Sequence, residues 1–158
     1  MKKGIKSVLS VALSAGATAV VVGKRLGKRV DEQRNLACKH LTMFQMMNQW
    51  VKIKQNGKNV SSYFEQQGYK EIAIYGMHFV GETLVEELMG SGITIKYGID
   101  KNANKICADF DIITPDSPLK YVDAIVVTAI TYFDEIEELL KDKVNCPIIS
   151  LEDILWQM

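Results

Sequence analysis

The sequence predicts an α/β domain built on a parallel sheet, and three observations predict it. A β-rich apolar run, Ile72 to Tyr75, meets Gly76, and Gly81 follows five residues later to open an amphipathic segment. A second β-rich run, preceded by Gly90 and Gly92, ends at Asp100. A third, Ala124 to Ile130, is apolar almost throughout, as a strand covered on both faces must be. Strand, tight turn, helix, strand and acid make the first half of a nucleotide-binding α/β unit.

A chain of 158 residues, 47% hydrophobic and 24% charged, can bury one sizeable core and does not have a disordered composition. The zero net charge hides two regions. Residues 1–30 carry seven Lys and Arg and no acid, and the remainder carries 12 basic and 19 acidic residues. The acidic remainder argues against nucleic acid as a partner. Cys38, Cys107 and Cys146 are odd in number and far apart, with no CxxC. That argues against a disulfide framework and against zinc. The expectation is three buried or half-buried thiols in a reducing compartment.

Residues 1–29 form a basic-flanked apolar segment. Val8 to Gly23 is 16 residues without charge, shorter than the roughly 20 that usually span a bilayer. Three readings fit it. The first is a membrane anchor over residues 5–23, with Lys24 and Arg25 snorkelling and with Ser10, Ser14 and Thr18 allowing close helix approach. The others are a signal peptide cleaved near Ala17-Thr18-Ala19, and a surface-lying helix. As an anchor, the heavier basic flank after residue 23 leaves a cytoplasmic domain tethered to the inner face of the membrane.

Residues 30–68 read as a helical arm. Val30 to Lys54 contains neither Pro nor Gly, with Leu36, Met43, Met47 and Trp50 near one face and Ala37, Leu41, Phe44 and Val51 broadening it. Asp31 and Glu32 at its start and Lys52 and Lys54 at its end suit the helix dipole. The arm either covers the core or, through Met43, Met46, Met47, Phe44 and Trp50, offers an adaptable surface to a protein partner. His40 is a helix-surface or boundary residue. Asn56-Gly57 stops the helix, and Asn59 is expected to cap a shorter one ended by Gly68.

Residues 69–158 carry the sheet. Strand one is about Glu71 to Tyr75. Against the pattern GxGxxG, Gly76 and Gly81 hold the first and third glycine positions, and His78 stands at the second. Gly76 permits the turn and Gly81 permits close helix–strand packing. The His78 ring either crowds the approach of a pyrophosphate or, protonated, meets an anionic ligand. The helix from Val80 to Met89 offers first-turn amides to an anion, with Glu82 counting mildly against dense negative charge. Asp100, 24 residues after Gly76, stands near the spacing at which an acid takes a ribose diol. Lys101 beside it could serve a phosphate, and the stretch to Asn104 also reads as a plain polar turn. Strand three is about Asp111 to Ile113, and Ser117-Pro118 reads as the cap of a short helix to Val122. Strand four spans Asp123 to Ile130, with Thr128 near its ligand-binding end. A helix from Tyr132 to Leu140, a strand from Pro147 to Ile149 and a helix from Leu151 to Trp156 close the chain. Five strands with short connections give a shortened Rossmann-like parallel sheet of order 3-2-1-4-5, helices on both faces.

The stretches Trp50-Val51-Lys52, Tyr69 to Met77, Tyr97 to Asp100, Asp123 to Thr128 and Ile148 to Asp153 resemble short Rossmann-like (NAD(P)-binding-like) domains. Such domains occur alone or attached to enzymes of bacterial capsule, teichoic acid and surface-polysaccharide biosynthesis. The resemblance covers about residues 35–158. It implies a nucleotide- or nucleotide-sugar-binding fold and a glycan-biosynthesis protein partner met through the 31–54 helix, and members often carry Gly where this chain has His78.

Three functions follow for the site. In the first, a binding module without catalysis of its own holds a nucleotide or nucleotide-sugar, with Gly76, His78 and Gly81 at the phosphate, Asp100 at the sugar hydroxyls and Thr128 across the crevice. In the second, a protein-interaction scaffold keeps a degenerate ligand site. The third is a small NAD(P)-dependent enzyme. It is disfavoured by the lack of a second domain, of a Tyr-x-x-x-Lys helix and of a positioned acid–base pair, with Tyr121 and Tyr132 near the sheet edge as candidate actors.

Overall fold

The computed structural model describes the backbone of residues 2–158 and the side chains of residues 26–158. Helix α1 (Lys2–Gln55) and helix α2 (Ser61–Gln67) lead into the alternating part of the chain. There follow β1 (Glu71–Tyr75), α3 (Phe79–Leu88), β2 (Thr94–Ile99), β3 (Ile112–Ile113), β4 (Ala124–Val127), α4 (Phe133–Leu140), β5 (Ile148–Ser150) and α5 (Leu151–Gln157). The five strands form one sheet in the order 3-2-1-4-5, every pair parallel, as the sequence predicts.

The central strand explains the layers. Ile72 and Ile74 of β1 enter one core with Leu84, Leu88, Phe64, Leu151, Ile154 and Leu155. Ala73 and Tyr75 enter the other with Tyr97, Ile99, Ile125, Ile136 and Leu140. Alternation along one strand therefore puts helices on both faces. Tyr75 lies opposite Ile99 on β2 and Val127 on β4, so the carboxyl ends of the three middle strands align.

The chain divides into two compact units, Met1–Thr42 and Met43–Met158. In the first, the described side chains of α1 from Leu26 onward are almost all exposed. In the second, Met46, Trp50 and Ile53 of α1 are buried in the core, with Met43 and Met47 packed against it. Gln49 Nε2 also donates to the Leu155 carbonyl at 3.1 Å. The buried face is thus narrower than the sequence pattern suggests: Phe44 and Val51 stay exposed.

Several expectations change. Helix α1 begins at Lys2, so Asp31 and Glu32 sit in its interior and no acid occupies its first turn. Gly57 and Gly68, at φ 72° and 75°, end α1 and α2 as expected. Asn59, however, accepts Lys54 Nζ with its side-chain oxygen at 2.7 Å, and it is Glu87 of α3 that accepts the Val60 amide at 3.1 Å. A carboxylate already paired with Lys54 at 2.9 Å makes the stronger acceptor. Residues 117–122 are not helical. The Lys120 carbonyl accepts the Tyr97 hydroxyl at 2.7 Å and Val122 is buried against the sheet, which holds the segment extended. Cys38 and Cys107 are exposed rather than buried. Among the described residues, no helix is long and apolar enough to cross a membrane. The expected anchor over residues 5–23 lies outside the described side chains.

Candidate functional site

The turn after β1 is built from interlocking backbone. Gly76 has φ 96°, a conformation a side chain opposes. A Cβ there would also stand 2.7 Å from Thr128 Oγ1 and 3.2 Å from the Ala129 amide nitrogen. A Cβ on Gly81 would run into the Gly76 carbonyl, its carbon only 3.1 Å away. The first turn of α3 therefore rests directly on the end of β1, the close packing that the two glycines predict.

Asp100 closes the same turn from β2. Its Oδ2 accepts the Met77 amide at 2.9 Å and its Oδ1 accepts the Asn102 amide at 2.7 Å. The Gly76 amide donates to the Ile99 carbonyl at 2.9 Å alongside. Each carboxylate oxygen keeps a further lone pair for a ligand hydroxyl.

Thr128 lies beneath the turn. It is buried, and its single hydroxyl proton is shared between the Tyr75 carbonyl, at 3.1 Å, and the Gly76 carbonyl. His78 lies above it at the amino cap of α3, in extended conformation, with its side chain exposed and edge-on to Phe79 at 4.2 Å between ring centroids. The structure thus gathers Gly76, His78, Gly81, Asp100 and Thr128 around one turn, with different tasks. The glycines and Thr128 shape it, Asp100 ties it, and His78 faces outward next to the first-turn amides of α3.

Two crevices open on either side of the turn, and Gly76, Ala129 and Tyr132 line both. One, of about 280 Å³, is the more polar, with Tyr75, Asp100, Lys101, Asn102 and Glu135 in its wall. The other, of about 390 Å³, is mostly apolar, with Met43, Met47, Phe79 and Val80 beside His78. They sit at the carboxyl ends of the neighbouring strands β1 and β4, after which the chain continues to β2 on one side and β5 on the other, the place at which open α/β sheets take ligands. A larger cavity of about 480 Å³ lies along α3 and the β2–β3 loop, but Glu82, Glu86 and Asp109 at its edge disfavour an anion.

Tyr75 adds a group that sequence reading passes over. It is 4% exposed, and its hydroxyl is a buried side-chain oxygen without a hydrogen-bond partner among the described residues. Burial first, then Asp100 and Asp116, holds its pKa above the ordinary tyrosine value, so the hydroxyl is a donor at neutral pH. An unmade hydrogen bond on a buried group is costly, and Tyr75 lies in the wall of the more polar crevice. The signal in the sequence is a lone aromatic hydroxyl at the last position of an otherwise aliphatic strand.

Tyr132 lines both crevices, whereas Tyr121 lies at the far end of the sheet, its hydroxyl 3.3 Å from Asp123 just before β4. Among the described residues, no three His, Cys, Asp or Glu side chains converge as a metal site. No protein-family model matches the chain, and no curated protein or solved structure matches it significantly.

Proposed function

We propose that the chain is a nucleotide- or nucleotide-sugar-binding module that serves surface-polysaccharide biosynthesis without catalysis of its own. The observation that carries the reading is the closed turn Gly76–Gly81, tied by Asp100 and flanked by two crevices at the carboxyl ends of the middle strands. The phosphates lie over the first-turn amides of α3 next to His78. The ribose meets Asp100, and the base enters the crevice of Tyr75 and Asn102. Binding without turnover is favoured because Asp100 and Thr128 spend their polar atoms on backbone groups rather than on each other. The link to surface glycans rests on the resemblance of residues 35–158, and a cytoplasmic domain tethered by residues 5–23 accords with it.

A second reading, a protein-interaction scaffold, is favoured by one observation. Phe44 and Val51 of α1 are 69% and 51% exposed on a helix whose other face is in the core.

Thermal shift of the purified protein against NAD, NADP, UDP-sugars and CDP-linked compounds tests the first reading. Saturable stabilisation by one class supports it and names the ligand class. No shift from any of them in a cooperatively melting protein refutes it and favours the scaffold.

A further inference from the structure

We infer that the ligand of this site is a nucleotide whose phosphate carries an apolar substituent, and that the substituent lies in the chamber of Met43, Met47, Phe79 and Val80. This rests on the nucleotide reading above and adds the chemistry of the second half of the ligand.

The two crevices differ in character and share Gly76, Ala129 and Tyr132 in their walls. A ligand with its sugar at Asp100 and its phosphate over the α3 amides has one end in the polar crevice, where the Tyr75 hydroxyl lacks a partner. Its other end emerges at His78 and Phe79. The 390 Å³ that it enters there are walled by two methionines, a phenylalanine and a valine, and the polar side chains in the wall are hydroxyls and the His78 ring. No carboxylate or ammonium group lines that chamber. A bare terminal phosphate or a free sugar would lose water there and gain few hydrogen bonds. An alkyl or isoprenoid arm would be desolvated at a gain and would cover Phe79, which is 75% exposed. The unbranched thioethers of Met43 and Met47 adapt to such a chain without a fixed shape.

Calorimetry on the full chain, held in phospholipid nanodiscs with protein-free nanodiscs as the blank, tests this. The probes are the 5′-monophosphates of adenosine, uridine and cytidine and their n-hexyl phosphodiesters. For the nucleoside that binds, the hexyl ester is expected to bind about ten-fold tighter or more. In Phe79→Ser, a change at an exposed position, the ratio of the two affinities falls toward one. Equal or weaker binding of the ester, or a ratio that Phe79→Ser leaves unchanged, overturns the apolar arm while leaving the nucleotide site standing. No binding of any probe overturns both.

Discussion

The Asp100 carboxylate accepts the Met77 amide at 2.9 Å, so the acid at the end of β2 holds the turn at the end of β1. A residue that the sequence offers as a ligand group is therefore also part of the frame. Substitutions in this region act on fold and ligand together.

Gly81 is required by packing. Gly81→Ala drives a methyl into the Gly76 carbonyl, and a backbone carbonyl cannot yield cheaply. We expect a loss of roughly 1–3 kcal/mol in denaturant unfolding. Gly92→Ala is the control: nothing lies within 4 Å of the added carbon, and its stability stays within about 0.5 kcal/mol of wild type.

Thr128 supports the turn through one hydroxyl. Thr128→Val keeps the shape and removes the donor shared by the Tyr75 and Gly76 carbonyls. A cost of about 1–2 kcal/mol is expected in chemical denaturation, while Thr128→Ser retains most of the stability because it keeps the donor.

Asp123 clamps the other end of β1, taking the Lys70 and Glu71 amides at 2.8 and 2.9 Å. These two hydrogen bonds, led by Glu71, lower its pKa below the usual carboxylate value. A lowered folded-state pKa gives stability that is complete above the unfolded value, about 3.9, and lost as pH falls through the folded one. Melting temperature against pH in wild type and Asp123→Asn should converge in acid and separate toward neutrality, with wild type the higher. Parallel curves would deny the clamp its charge.

Much of this architecture was legible because it is local. Runs such as Ile72–Tyr75 and Ala124–Val127, punctuated by Gly76 and Gly81, specify strands and a turn by alternation and steric need. The strand order and the grouping of Gly76, Gly81, Asp100 and Thr128 follow from that. What was not legible depends on contacts distant in sequence. Residues 117–122 carry a helix-start signal, yet Tyr97, on β2, holds their carbonyl. Asn59 reads as a cap, but Glu87, 27 residues away from Val60, supplies the oxygen. Tyr75 looks like one more core aromatic until its hydroxyl is seen to lack a partner.

That hydroxyl separates the ligand from the fold. Tyr75→Phe removes a buried polar atom that makes no hydrogen bond, so the ligand-free protein should be as stable as wild type or up to about 1 kcal/mol more so. If a ligand accepts from this hydroxyl, its affinity should fall roughly ten-fold in the variant. Lower stability without a ligand would mean that the hydroxyl already has a structural partner.

Whether the Gly76–Gly81 turn holds a nucleotide is decided by titration calorimetry of the full chain with the ligand class that gives the largest thermal shift. Saturable micromolar binding at one site per chain is expected, weakened by Asp100→Asn and by Tyr75→Phe. A well-folded protein that gives no saturable heat, or binding that neither substitution changes, would contradict it.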